Sequence, residues 1–376
     1  MSICLPTARL DFVIDRKRLS RSILNTTGGY PLAKNVNPAG LRRSTAILLA
    51  CVAVMAGCSS NPLASTPPTI EPATPAISPP PATRPAGEVL PLGGNPDAAV
   101  FDERTGSLAV LTPGADPQAA ATLTLFSSTG VPRELTLPGP ATAIAGDGQG
   151  TAFLSTRGGY VTVDLASGTA SPVSINEETD TDFTAIARRA DGRLVLGSAD
   201  GTAYTLGSDT AVAEKVKIFA RVDAVVAEGN NAVVLDRGQT SVTSLNADGR
   251  TQQALRAGQG ATTMVADPLG RVLVTDTRGG QLLVFGVDPL IERQAYPVPD
   301  APYGLAGSRN LAWVSQTASN MVVGYDLTTG IPVEKVRYPT VQQPNSLAFD
   351  DTSDTLYVVS AAGAGVQVIR NAAGAR

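Results

Sequence analysis

Residues 303–339, YGLAGSRNLAWVSQTASNMVVGYDLTTGIPVEKVRYP, read as four short β-strands in a row. Residues 303–307 are followed by a Ser-Arg-Asn turn. Residues 310–315 follow, dense in Leu, Trp and Val, and then a polar Ala-Ser-Asn turn. Residues 321–327, a Thr-Thr-Gly turn and residues 332–338 complete the set. Short β-rich runs punctuated by Gly, Asn, Asp and Ser are the signature of strands joined as hairpins. No 3.6-residue apolar period of useful length competes with them.

Most of the chain after residue 95 repeats this unit. Its apolar first-strand anchors are Val100, Ile144, Ile186, Val225, Met264, Leu305 and Leu347, spaced 44, 42, 39, 39, 41 and 42 residues apart. The second strands that answer them are residues 108–111, 152–154, 194–196, 232–235, 272–274, 311–314 and 356–359. A polar turn such as Gly146-Asp147-Gly148 or Ala190-Asp191-Gly192 lies between the two. One four-stranded sheet cannot bury both of its faces alone, so seven copies predict an all-β, seven-bladed propeller. The seventh copy offers three strands, near 345–349, 355–359 and 366–370. Its missing outer strand is expected from residues 88–92, EVLPL, which would close the ring and remove an open edge.

The segments VVGYDLTTGIPVEKVRYP and QPNSLAFDDTSDTLYVVSAAGAGVQVIR resemble the YVTN type of propeller repeat. Asp326-Leu327-Thr328-Thr329-Gly330 and Asp164-Leu165-Ala166-Ser167-Gly168 carry its hairpin, and Leu356-Tyr357-Val358 its strand. The match is good in the last two blades and loose in the first five. Together with the N-terminus, the chain resembles an actinobacterial cell-envelope lipoprotein with a propeller domain. That resemblance implies architecture and place, and no activity.

Residues 1–40 show no repeat. Leu41-Arg42-Arg43 opens a charged region, and an apolar run follows from Thr45 to Ala56. It is shorter than the roughly 20 apolar residues that span a bilayer, and it suits a signal-peptide core. The run ends in Val54-Met55-Ala56-Gly57-Cys58, where small residues before a cysteine resemble a bacterial lipobox. Cleavage there would leave Cys58 to carry a lipid anchor of diacylglycerol and palmitate type. The true start codon and the export route, Sec or twin-arginine, stay open. Residues 59–87 hold nine prolines among Ala, Ser and Thr. Such composition predicts a disordered, extended tether, reaching up to about 85 Å in the polyproline II limit. The domain plan is therefore 1–57 N-terminal extension and signal peptide, 58–87 lipidated cysteine and Pro-rich tether, and 88–376 propeller.

The three cysteines, Cys4, Cys51 and Cys58, precede the propeller, and the chain contains no histidine. Disulfides, thiolate metal sites and nucleophiles are thereby excluded from the propeller, as is every mechanism built on histidine. Removing residues 1–57 leaves 21 Lys+Arg against 31 Asp+Glu, a charge of −10. An acidic body argues against nucleic acid as a partner.

Three arginines, Arg157, Arg237 and Arg278, fall in Arg-Gly turns between the second and third strands of their blades. Such turns open on one propeller face around the central channel. The arginines could converge there on an anionic ligand or an acidic partner patch. They could equally be solvated, or paired with Asp97, Asp223 or Asp300. Asp147, Asp191, Asp267, Asp351 and Asp354 read as turn formers. Residues 177–182, EETDTD, read as a solvated loop, or less readily as a weak cation site. Residues 112–121 form a longer insertion on the arginine side, and Trp313 and Tyr204 read as packing. No cofactor, metal or catalytic residue is assigned. The leading expectation is a monomeric, membrane-anchored, extracytoplasmic module that binds an envelope protein or cell-wall component through its loop face. The alternative is a metal-dependent hydrolase or lactonase with carboxylates in the channel.

Overall fold

The computed structural model describes residues 67–127 and 131–374. The N-terminal extension, the signal peptide and Cys58 lie outside the described residues. Within them the chain forms 28 strands and no helix, arranged as seven four-stranded antiparallel sheets. Six sheets are built from consecutive strands. The seventh takes residues Pro344–Asp350, Thr355–Ser360 and Val366–Arg370 from the C-terminal end and Glu88–Leu90 from the N-terminal side. Glu88, Val89 and Leu90 pair with Val368, Gln367 and Val366, so the ring closes where the repeat count requires it. The closing strand is shorter than residues 88–92, and Leu92 packs instead under the first and seventh blades.

All seven anchors lie on the first strand of their blades, from Ala98–Asp102 in blade 1 to Pro344–Asp350 in blade 7. Middle strands are buried on both faces, as in Leu194–Ser198 and Thr202–Leu206 of blade 3. The outer strand of the same blade, Val212–Lys217, alternates half-buried with exposed. This contrast follows from packing blade on blade: middle strands lie between neighbouring blades, the outer strand has a solvent face, and first strands such as Ala143–Gly146 are half-buried along the channel. The core is a series of inter-blade layers. Leu111 and Leu123 of blade 1 meet Leu154 and Val161 of blade 2, and Trp313 of blade 6 stacks on Phe349 of blade 7 at 5.5 Å. Trp313 is fully buried, and Tyr204 packs edge-on against Phe183, so both are core residues.

The Pro-rich segment departs from the sequence-based expectation. Residues 69–79 do not stand free of the propeller but lie along one face of it, from blade 4 to blade 7, where Ala73 and Ser78 are buried. Composition indicates that the segment cannot build a core of its own. It carries no information on whether a preformed surface will accept its carbonyl groups.

Candidate functional site

The face that carries the segment is made by turns between second and third strands, together with the residues that lead into each first strand. In blades 4 and 5 a buried aspartate organises the turn. Asp276 accepts from the main-chain amides of Gly279 and Gly260, both at 2.8 Å on Oδ1, and of Gln259 at 2.8 Å on Oδ2. Asp236 accepts from Gln239, Ala220 and Arg221 in the same manner. Each carboxylate ties its own turn to the strand connection beside it, satisfying amides that would otherwise be orphaned. Glycine is obligatory at position 279, because a Cβ there would lie 2.0 Å from Asp276 Oδ2. The sequence singled out the arginines of these turns and missed the aspartates. The signal was present, as an Asp just before Arg-Gly: Asp236-Arg237-Gly238 in blade 4 and Asp276-Thr277-Arg278-Gly279 in blade 5.

The three arginines have three different sets of partners. Arg157 is exposed and pairs with Asp180 at 3.4 Å and Asp182 at 3.5 Å, both in the acidic run. Arg237 donates to the carbonyl of Ala73. Arg278 donates to the carbonyl of Glu71 at 2.6 Å and to that of Gln259 at 3.2 Å. Two of the three therefore hold the Pro-rich segment, and the third holds carboxylates of its own blade's connection.

Further along, the segment is held by uncharged side chains. Ala76 donates its amide to Thr317 Oγ1 at 3.1 Å, and Ser78 Oγ donates to the Thr317 carbonyl at 2.6 Å. The Gln343 side-chain amide makes two bonds to the segment: Nε2 donates to the Ala76 carbonyl at 2.9 Å, and Oε1 accepts from the Ser78 amide at 3.0 Å. Gln342 Nε2 donates to the Ser78 carbonyl at 3.0 Å, and Asn320 Nδ2 to the Pro79 carbonyl at 2.7 Å. Asn320 and Gln343 both have left-handed φ angles, +51° and +56°, and Asn320 Oδ1 accepts from the main-chain amide of Gln343. Such strain persists only where the surroundings enforce it. Here it raises two amide side chains toward the docked chain.

Arg237 also stands among Asp97, Asp223 and Tyr303 at the channel mouth. Enclosure away from bulk water pushes the Asp97 carboxyl up, and the Arg237 guanidinium pulls it partly back. Burial likewise raises Asp223, opposed by the Arg237 amide bond and by the charges of Arg237 and Arg221. Tyr303 is raised by burial and by Asp97. The channel encloses about 490 Å³ and is lined by Ala98, Val100, Ile144, Ile186, Val225 and Met264 among others. Its wall is mostly small and apolar, and no group of three or more His, Cys, Asp or Glu that could hold a metal ion occurs among the described residues.

The acidic run is structural in its pairings. Burial pushes Glu178 up, but its bonds to Lys215 and to Thr181 Oγ1, with the Lys215 charge, outweigh this and hold the carboxyl below its usual value. On the opposite face the expected turn formers act as such. Asp147 accepts from the amides of Gln149 and Thr151, and Asp267 from those of Leu269 and Arg271. Asp351 reaches across to the Arg309 amide of the neighbouring blade.

No family model matches the sequence, and neither does any curated protein. Solved structures share the fold. Streptogramin B lyase superposes with a TM-score of 0.62 at 11% identity, over 77% of this chain and 97% of that one. A catalytically inactive histidine-to-alanine virginiamycin B lyase from Staphylococcus aureus, with quinupristin, gives 0.61 at 10%, over 75% and 97%. U3-55K gives 0.64 at 13%, over 76% and 100%. Identities this low establish the propeller fold alone. This chain has no histidine that could take the place of the one replaced in that lyase variant.

Proposed function

We propose that this protein is an extracytoplasmic lipoprotein, anchored to the membrane through a lipid on Cys58, whose propeller binds another envelope protein or a cell-wall component through its loop face. The observation that carries the reading is that this face already binds a polypeptide, residues 69–79, through arginine, amide and hydroxyl side chains. The lipobox at residues 54–58 and the resemblance to YVTN-type actinobacterial envelope lipoproteins support the placement. With residues 69–79 docked, the spacer between the lipid and the face is reduced to the residues before Thr69. Eleven residues span at most about 40 Å. The module thus works close to the membrane rather than at the far end of a long tether. A hydrolase in the channel finds less support, since Asp97 and Asp223 share their mouth with Arg237, a cation that competes for the same carboxylates.

The test is photo-cross-linking in intact envelopes from two positions. Ala362 lies in the loop-face turn of blade 7, and Leu269 is exposed on the opposite face. A specific protein or wall component captured from Ala362 and not from Leu269 is the expected result. Equal capture from both, or none from either, contradicts the reading. Cys58→Ser should abolish palmitate labelling and release the protein from the membrane.

A further inference from the structure

The grip on residues 69–79 is directed almost wholly at main chain. Seven of the eight side-chain bonds that hold the segment meet its carbonyls or amides, and only Ser78 contributes a side chain. Carbonyls dominate the acceptor set, from Glu71, Ala73, Ala76, Ser78 and Pro79. An extended proline-rich chain suits such a surface. Proline removes amides that would need partners and presets the extended backbone, so little conformational freedom is lost on docking. Side-chain selection is confined to two tight places, Ala73 and Ser78, which are 6% and 3% exposed and admit only small residues. Between them Ile77 points into solvent, 94% exposed. The clamp itself is built into the propeller: Thr317 and Asn320 are buried, and Asn320 supports Gln343 from behind. A surface that reads backbone shape and two small residues is not specific to its own chain.

We propose that the groove across blades 4 to 7 is a recognition site for an extended proline-rich segment of a partner protein, and that residues 69–79 occupy it in cis as a competitor. This rests on the scaffold reading above and names the chemistry of the partner. The partner segment carries prolines and two small residues five positions apart, matching Ala73 and Ser78. The tethered segment holds the site at an effective concentration of about millimolar, so a partner must supply extra contacts or high local concentration to displace it.

The test keeps the whole chain and makes the segment separable after folding. A protease recognition sequence is inserted between Pro81 and Ala82, both exposed, and the folded protein is cut. A fluorescent peptide of residues 67–81 is then titrated into cut and uncut protein. The cut protein should bind it saturably and exchange its own segment for it, while the uncut protein binds at least tenfold more weakly. Gln343→Ala in the cut protein should weaken binding about tenfold, as for two lost hydrogen bonds. A peptide with Trp at positions 73 and 78 should not bind. Failure to rebind, failure of the retained segment to exchange over days, or equal binding to uncut protein would overturn the proposal and leave a fixed structural strap. Concentration-dependent dimers of uncut protein would make a second copy the occupant and overturn it as well. Loss of rebinding with loop-face capture intact removes the groove and keeps the scaffold. Rebinding without capture does the reverse.

Discussion

The loop face has two halves that solve the same problem differently. In blade 2 the Arg-Gly turn is covered by its own blade's connection, where Gly158 donates to the Thr181 carbonyl and Asp180 and Asp182 neutralise the exposed Arg157. Glu178 of that connection pairs with Lys215 of blade 3. In blades 4 and 5 the same kind of turn lies under the Pro-rich segment, and its arginines donate to carbonyls. A guanidinium ion-paired with a carboxylate, as Arg157 is at 3.4 and 3.5 Å, has no need of a ligand. Arg237 lies near Asp97 and Asp223 without closing such a pair and gives its donor to Ala73. A guanidinium whose turn aspartate is fully committed to main-chain amides has donors to spare, and a chain of carbonyls fits them. An Arg-Gly turn alone therefore says little about binding; whether a carboxylate pairs directly with the guanidinium decides it.

That difference can be broken from the covered side most severely. Asp276→Ala removes the acceptor of three amides at a fully buried position and should cost about 3 kcal/mol, read as a lowered urea midpoint with unchanged slope. The half around blade 2 should answer instead to acid. The Glu178 carboxyl lies below its usual value when folded, so the stability it contributes is full above about pH 4.5, the unfolded value, and is lost as pH falls through the lower folded one. Lys215 is half-exposed, so the effect should be about 1 kcal/mol. Glu178→Gln should flatten that acid limb in urea titrations run from pH 6 downward. Arg157→Ala should change stability by less than about 0.5 kcal/mol, since all three charges of its cluster are exposed. Raising salt to molar concentration should loosen the Arg157 pairs, seen in side-chain NMR, and leave amide protection in residues 69–79 unchanged. Bonds from guanidinium to carbonyl involve no second charge to screen.

Much of the fold was legible because a propeller repeats its instructions. An apolar anchor every 39 to 44 residues, a second strand about ten residues on and a polar turn between them recur seven times, and the arithmetic of a missing strand pointed to residues 88–92, of which Glu88–Leu90 form the closing strand. Boundaries moved by a residue or two, as in blade 6, where Ala312–Gln316 replaces 310–315. The candidate site was legible only as a face. Arg237 and Arg278 were on the right turns, but their partners are carbonyls, which every residue possesses and no sequence pattern marks. Gln342, Gln343, Thr317 and Asn320 were missed for the same reason, and Asn320 and Gln343 serve in addition through left-handed turn geometry. The Pro-rich segment illustrates the limit most sharply. Its composition correctly denies it a core and cannot tell whether a neighbouring surface supplies one.

The most direct test is hydrogen exchange at the Ala76 and Ser78 amides in the intact protein, followed by NMR or by mass spectrometry of peptides spanning residues 69–79. The account predicts exchange at least about a hundredfold slower than in the free peptide, because Thr317 Oγ1 and Gln343 Oε1 accept from these amides. Exchange at the free-peptide rate would mean that the segment is not held on the loop face, and that nothing covers the turns of blades 4 and 5.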